Sequence, residues 1–230
     1  MIQTLTDKVG IRAIQWGKSM TDKDRELALR QITESFYDLS EVLEVDVEDL
    51  SLGGKLALGV GSRGKPGCNA HYEPSNKIIS IQRNKHGSLA HELFHAIDHQ
   101  AGEKNGKNNL LTNYSERTIE DPEYKEIVTS LHKEMNIFKS RMVTTQTYKN
   151  LSWKEKTYFS SPIEMFARIG ETMVSRELEK NGRENTYLSG GQHEHLYPNQ
   201  KELESLTPLI KKMVKMTIQN QTKIETKLTA

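Results

Sequence analysis

His91, Glu92 and His95 stand in the order H-E-x-x-H within the run Leu89-Ala90-His91-Glu92-Leu93-Phe94-His95-Ala96-Ile97. On a helix, residues four apart project from one face, so both imidazoles can reach one metal ion. The glutamate beside the first histidine is then placed to take a proton from an attacking water. The chemistry this spacing offers is metal-assisted hydrolysis, with one zinc ion per chain as the expected cofactor.

A catalytic zinc takes three protein ligands and leaves a fourth position open, so a third donor must come from elsewhere. His99 lies four residues further along, but about 6 Å farther up the axis at 1.5 Å per residue. One straight helix does not wrap three such side chains around a tetrahedral ion. The metzincin solution, a glycine bend followed by a histidine six residues past the second, is absent, because that position is Ala101. Two carboxylates remain, Glu164 and Glu171. Around them Ile163, Phe166, Ala167, Gly170, Met173 and Val174 mark the buried face of a helix. Glu164 borders that face, where a carboxylate needs a partner such as a cation. Glu164 is the preferred ligand. Glu171, one helical stripe on, is the alternative, or else a residue that orients a ligand histidine.

The elements that must position these residues follow from patterning. Residues 10–17 alternate apolar and polar between glycines and predict a short strand. Thr21 caps a helix running to about Leu43, with Asp22 and Asp24 in its first turn. Residues 45–52 read as a linker or short turn, 56–61 as a buried strand weakened by glycine, 64–67 as a turn and 78–81 as a second strand. The motif helix starts near Gly87 or Ser88 and runs to about Gln100, with Gly102 as its stop. Residues 102–117 are polar and predict a mobile surface loop. Helices follow at 122–140, 161–179 and 200–218, with a loop at 181–199. In the second of these, Ser161, Pro162 and Glu164 stand at the cap, N1 and N3 positions of a capping box. Strands precede helices, so an α+β single domain over 1–230 is expected, strand-containing to residue 86 and helical from 87 onward.

The bulk numbers narrow the function classes. In 230 residues, 32 Lys and Arg nearly cancel 31 Asp and Glu, leaving a net charge of +1. No global basic field announces nucleic-acid binding. No stretch approaches the roughly 18 apolar residues of a membrane span, and residues 1–10 lack the apolar core of a signal peptide. The single cysteine, Cys68, excludes a disulfide framework and fits a reducing, cytoplasmic setting. A protein or peptide substrate is the expected partner, with no membrane and no nucleic acid.

A resemblance extends this reading. Gly10-Ile11-Arg12, Asp38-Leu39, Ser51-Leu52-Gly53-Gly54-Lys55-Leu56, Gly59-Val60-Gly61-Ser62-Arg63-Gly64, Ala70-His71-Tyr72-Glu73-Pro74, Ser88 to Asp98, and Glu164-Met165-Phe166-Ala167-Arg168 resemble the first of the large polyvalent-protein-associated domains of phages and conjugative elements. Tyr187-Leu188-Ser189 and Tyr197-Pro198 resemble its C-terminal signature. The resemblance implies a zincin-like fold, with a small mixed sheet packed on the H-E-x-x-H helix. It also implies a zinc metallopeptidase of gluzincin, lethal-factor-like type. One departure is Leu93, where family members often carry an aromatic residue; it is expected to face away from the metal.

Within that reading Glu92 is the general base and His91, His95 and Glu164 are the zinc ligands. The resemblance to lethal-factor-like enzymes makes Tyr158 the first candidate for stabilising developing oxyanion charge. His71 is the other, because it stands just before the strand 78–81, whose edge could pair with substrate backbone. Asp98 is expected either to orient an imidazole or to be solvated, and Arg63 to meet a substrate carboxylate or an internal one. His193 and His195 are expected to be exposed. The competing classes are a metal-binding interaction module of a mobile-element counter-defence system, against which Glu92 argues, and a nucleic-acid-associated protein, against which neutral charge argues.

Overall fold

The computed structural model of the chain describes residues 2–64, 68–83, 85, 87–190 and 195–228. Among these, eight helices and a four-stranded sheet form a mixed α+β fold. In chain order they are α1 (Ile2–Asp7), β1 (Ile14–Trp16), α2 (Asp22–Leu43), β2 (Ala57–Val60), β3 (Ala70–Glu73), β4 (Ile78–Ile81), α3 (Leu89–Lys104), α4 (Pro122–Met142), α5 (Gln146–Lys149), α6 (Trp153–Phe159), α7 (Pro162–Lys180) and α8 (Gln200–Leu228). The sheet order is β1-β2-β4-β3. The first three neighbours run parallel, and β3 lies antiparallel to β4. The β3–β4 hairpin turns at Lys77, whose φ of 51° puts it in the left-handed region.

α3 is the centre of the molecule. Leu89, Ala90, Leu93, Phe94, Ala96, Ile97 and Ala101 are buried on all sides of it, as expected of a helix enclosed by other elements. The sheet covers one side through β3 and β4, and α7 packs on another. The α3–α7 contact is close because Gly170 on α7 faces the Phe94 ring, which also stacks edge-on against Phe166 at 6.0 Å. α4 and α8 pair with each other and close the helical side.

Several expectations are revised. β3 has too little apolar alternation to stand out, yet it is the edge strand beside β4. The strand 78–81 is therefore interior, and its edges are already taken by β2 and β3. Gly102 does not stop the motif helix. An added Cβ there would meet the Asn109 carbonyl at 2.0 Å, so the glycine serves a close backbone approach. The helix ends at Lys104, and Gly106, φ 65°, follows the Asn105 cap, with Lys107 N–H returning to the Gly102 carbonyl in a Schellman closure. The stretch 102–117 is not a solvated loop, because Leu110 and Leu111 are buried within it. α8 continues to Leu228, beyond the expected end at 218. Part of the expected turn at 64–67 lies outside the described residues, as do His86 and His193. Thr21 does cap α2 as expected, with Asp24 completing a reciprocal capping box. No helix among the described residues is long and apolar enough to cross a membrane.

Candidate metal centre

α3 brings His91 and His95 to one face, and the start of α7 lays Glu164 against them. His91 Nε2 lies 3.1 Å from His95 Nε2. Glu164 Oε2 lies 3.2 Å from His91 Nε2, and Glu164 Oε1 lies 3.5 Å from His95 Nε2. Donors at about 2.05 Å from a tetrahedral zinc stand about 3.3 Å apart, so these separations fit the edges of such a site. The donor set is two imidazoles and one carboxylate, the composition of an open catalytic site. Glu164 Oε2 is buried and makes no well-aligned hydrogen bond; its near partner is the His91 ring, and a carboxylate so buried favours a cation.

The start of α7 departs from the usual start chemistry. Ser161 stands at the N-cap, but its side chain makes no capping bond. Its hydroxyl donates instead to the Tyr158 carbonyl at 3.0 Å. Glu164, which a capping box would turn back toward Ser161, faces the histidines, so local start chemistry yields to the site. The head of α3 is secured differently: Gly87 N–H and Ala90 N–H donate to the carbonyls of Tyr187 and Leu188.

Glu171 takes the orienting place. Its Oε2 lies 3.5 Å from His91 Nδ1, opposite the nitrogen that faces Glu164. A carboxylate on Nδ1 fixes the proton there and leaves Nε2 free to ligate. Burial pulls the His91 imidazole down, but Glu164, Glu171 and Glu92 outweigh it and lift the pKa to about 10. Burial pushes the Glu164 carboxyl up, and the facing His91 and His95 outweigh it and hold the carboxyl well below its ordinary range. This cluster of opposed charges is what a divalent ion would replace.

His91, Glu92, Glu171, Tyr158 and Tyr197 line a cleft of about 1140 Å³. Glu92 is buried in its wall. Tyr158 reaches the cleft from α6, with part of the side chain exposed. Burial raises its phenol pKa, and the charges of Glu164 and Glu92 raise it further. Leu93 is fully buried in the core, on a side of α3 away from the donors.

His71 is not brought to the cluster. On β3, Tyr72 turns toward α3, where its hydroxyl meets His99 Nδ1 at 3.0 Å. Neighbouring strand residues face opposite sides, so His71 points away from α3. There its Nε2 lies 3.3 Å from Glu73. Glu73 is the internal carboxylate of Arg63, whose Nε reaches it at 2.9 Å. The same contact at Tyr72 turns His99 toward the sheet and away from His91 and His95. His195 is exposed.

Asp98 is not solvated. It is fully buried and accepts from the Thr112 N–H at 2.9 Å and the Thr112 hydroxyl at 2.5 Å. Burial pushes its carboxyl up to about 6, against the pull of Thr112 and His95. Folding therefore favours the neutral form. That contribution is complete below the ordinary value of about 3.9 and is lost as pH rises through about 6. Asp98→Asn keeps both Thr112 bonds, with Oδ1 accepting and Nδ2 donating, and does not titrate. In metal-free protein the variant is expected to gain about 1.4 kcal/mol on wild type between pH 5 and pH 8, by urea unfolding. A wild-type-to-variant difference that stays constant over that range would exclude a titrating Asp98.

Sequence reasoning overlooked Arg168 and Tyr197 as site residues. A lone charge among Phe166, Ala167 and Ile169, on a helix otherwise read as buried, was the available signal for Arg168. Tyr197 stood out only within the Tyr197-Pro198 signature, because its place in the site depends on a turn far from α3 in sequence. Among known families, one described as large polyvalent protein-associated domain 1 matches residues 152–221. That segment carries Tyr158, Glu164, Arg168, Glu171 and Tyr197, and it excludes His91 and His95. No curated protein and no solved structure matches the chain.

Proposed function

We propose that the chain is a zinc-dependent metallopeptidase of zincin-like fold, with a glutamate from a second helix as third ligand. It acts on a protein or peptide in the bacterial host of a phage, plasmid or other mobile element. The observation that carries this reading is the tetrahedral-edge spacing of the His91, His95 and Glu164 donors, with Glu92 in the wall of the adjoining cleft. The match over 152–221 supports the mobile-element setting.

A bound zinc ion supplies Lewis-acid activation of water and of the scissile carbonyl. The protein's own residues do the rest. Glu92 takes the proton of the attacking water and passes it to the leaving nitrogen. Tyr158 donates to the oxygen on which charge develops, and its raised pKa keeps the proton on the phenol at neutral pH. Glu171 fixes the His91 ring from behind. Asp98 and Thr112 brace the same helix one turn beyond His95.

The test is metal content by elemental mass spectrometry on wild type, His95→Ala and Glu164→Ala side by side. About one zinc per wild-type chain is expected, lost in both variants. No zinc in wild type after zinc has been added back, or full zinc in Glu164→Ala, would reject the reading.

A further inference from the structure

Arg168 is one turn along α7 from Glu164, and only 1 % of it is exposed. A guanidinium so deeply buried stays charged and needs partners. Its hydrogen bonds go to three backbone carbonyls and, at 3.8 Å from Nη1, to the Met142 sulfur. Nε donates to Glu164 O at 3.2 Å, Nη1 to Leu196 O and Nη2 to Phe159 O. Aromatic rings enclose the cation: Phe159 at 4.9 Å, Tyr197 at 5.7 Å and Phe138 at 5.9 Å from the guanidinium carbon. Such faces attract a cation, more strongly when it is desolvated.

The three carbonyls are not scattered. One belongs to the proposed third ligand. The second belongs to Phe159, next to Tyr158, at the end of α6, where a helix leaves carbonyls unpaired. The third belongs to Leu196, next to Tyr197. Both tyrosines line the cleft with Glu171, Tyr158 within reach of the Glu164 charge and Tyr197 within reach of the Glu171 charge. No residue of α6 is fully buried, and Trp153 at its start is 77 % exposed. The Tyr197 carbonyl is also held from outside by Arg141 Nη2 at 2.6 Å, so Arg168 is the inner of two clamps on that turn.

We propose that Arg168 is the positioning residue of this cleft, one buried guanidinium that fixes Tyr158 beside Glu164 and Tyr197 beside Glu171. It does not touch the reacting atoms. It acts by holding two separate chain segments, the end of α6 and the turn before α8, in register with the start of α7. Tyr197 then supports the carboxylate that orients His91.

The experiment uses the full chain with 3-fluorotyrosine in all eight tyrosine positions, read by 19F NMR. Tyr158→Phe and Tyr197→Phe assign the two signals. In metal-free Arg168→Lys, the lysine stem still fills the aromatic pocket and its ammonium still reaches one carbonyl. The Tyr158 and Tyr197 resonances are expected to move while the other six stay in place. Zinc affinity, by competition with a chromogenic chelator, is expected to fall roughly tenfold, as for loss of an outer-shell partner. Unmoved Tyr158 and Tyr197 signals would overturn the proposal. So would movement or collapse of all eight, which would make Arg168 a general packing residue. Tyr197→Phe removes only a hydroxyl and is the second variant. Severalfold weaker zinc binding is expected, and unchanged affinity would take Tyr197 out of the site and overturn the proposal. The zinc arm rests on the metallopeptidase reading, whereas the metal-free spectra do not, so a failure of one is told apart from a failure of the other.

Discussion

Glu92→Gln is expected to keep zinc and to lose hydrolysis. Glutamine has the shape of glutamate and fits the same wall of the cleft, so His91, His95 and Glu164 keep their places. It cannot accept the proton of an attacking water. Loss of a general base at this step costs about 10²- to 10⁴-fold in rate. Zinc content is expected to match wild type, and the loss is expected in kcat with little change in KM. The assay is mass spectrometry of new N-termini in a proteome-derived peptide library, followed by rates on the best peptide. A Glu92→Gln chain that cleaves at the wild-type rate would remove Glu92 from the base role. A variant that loses zinc as well would give Glu92 a structural part in the site. Paired with the metal measurement, this variant separates a peptidase from a metal-stabilised binding module, since only the first needs the carboxylate.

The histidine pair and its glutamate were legible because they are local. Helical spacing alone places His91, Glu92 and His95, and the buried stripe of α7 places Glu164 at its border. The sequence favoured Glu164 over Glu171 because it borders the buried stripe, although both lie on the same side of one helix. Which of them meets Nε2 and which meets Nδ1 of His91 is fixed by how α7 crosses α3. Asp98 could be read two ways from sequence, since an acidic residue on a helix is ordinarily solvated. Its partner Thr112 lies in a stretch whose polarity hid the buried Leu110 and Leu111. β3 was missed because Ala70 and Tyr72 share one face while the other carries only the polar His71 and Glu73, so no clear apolar stripe marks it. Alternation along β3 puts Tyr72 toward α3 and His71 on the other side, near Glu73. Gly102 was read as punctuation when its reason is a neighbouring backbone. In each case the missing information was a contact across the fold, not a property of the segment itself.

The crossing of α3 and α7 carries the other large prediction, at Gly170. A Cβ there would stand 2.4 Å from the Phe94 ring. The ring cannot step aside, because Phe94 is fully buried and held edge-on by Phe166. Alanine is intrinsically the better helix former by about 1 kcal/mol, so an exposed or loosely packed site would be stabilised by the change. Here overpacking, at about 1–3 kcal/mol and more for backbone shifts, outweighs that gain. Gly170→Ala is expected to lose roughly 2 kcal/mol net in urea unfolding of the metal-free chain. The helices must also separate, and the separation falls between the histidines on one and Glu164 on the other. Donor spacings of 3.1 to 3.5 Å do not tolerate a shift of that kind, so zinc affinity is expected to drop at least about tenfold. Phe94→Leu in the Gly170→Ala background makes room for the methyl. It is expected to recover part of both losses, although Phe94→Leu alone is destabilising, and that sign reversal is the coupling a shared contact requires. A Gly170→Ala chain as stable as wild type with unchanged zinc affinity would show that the α3–α7 approach is looser than described and that donor spacing is set elsewhere.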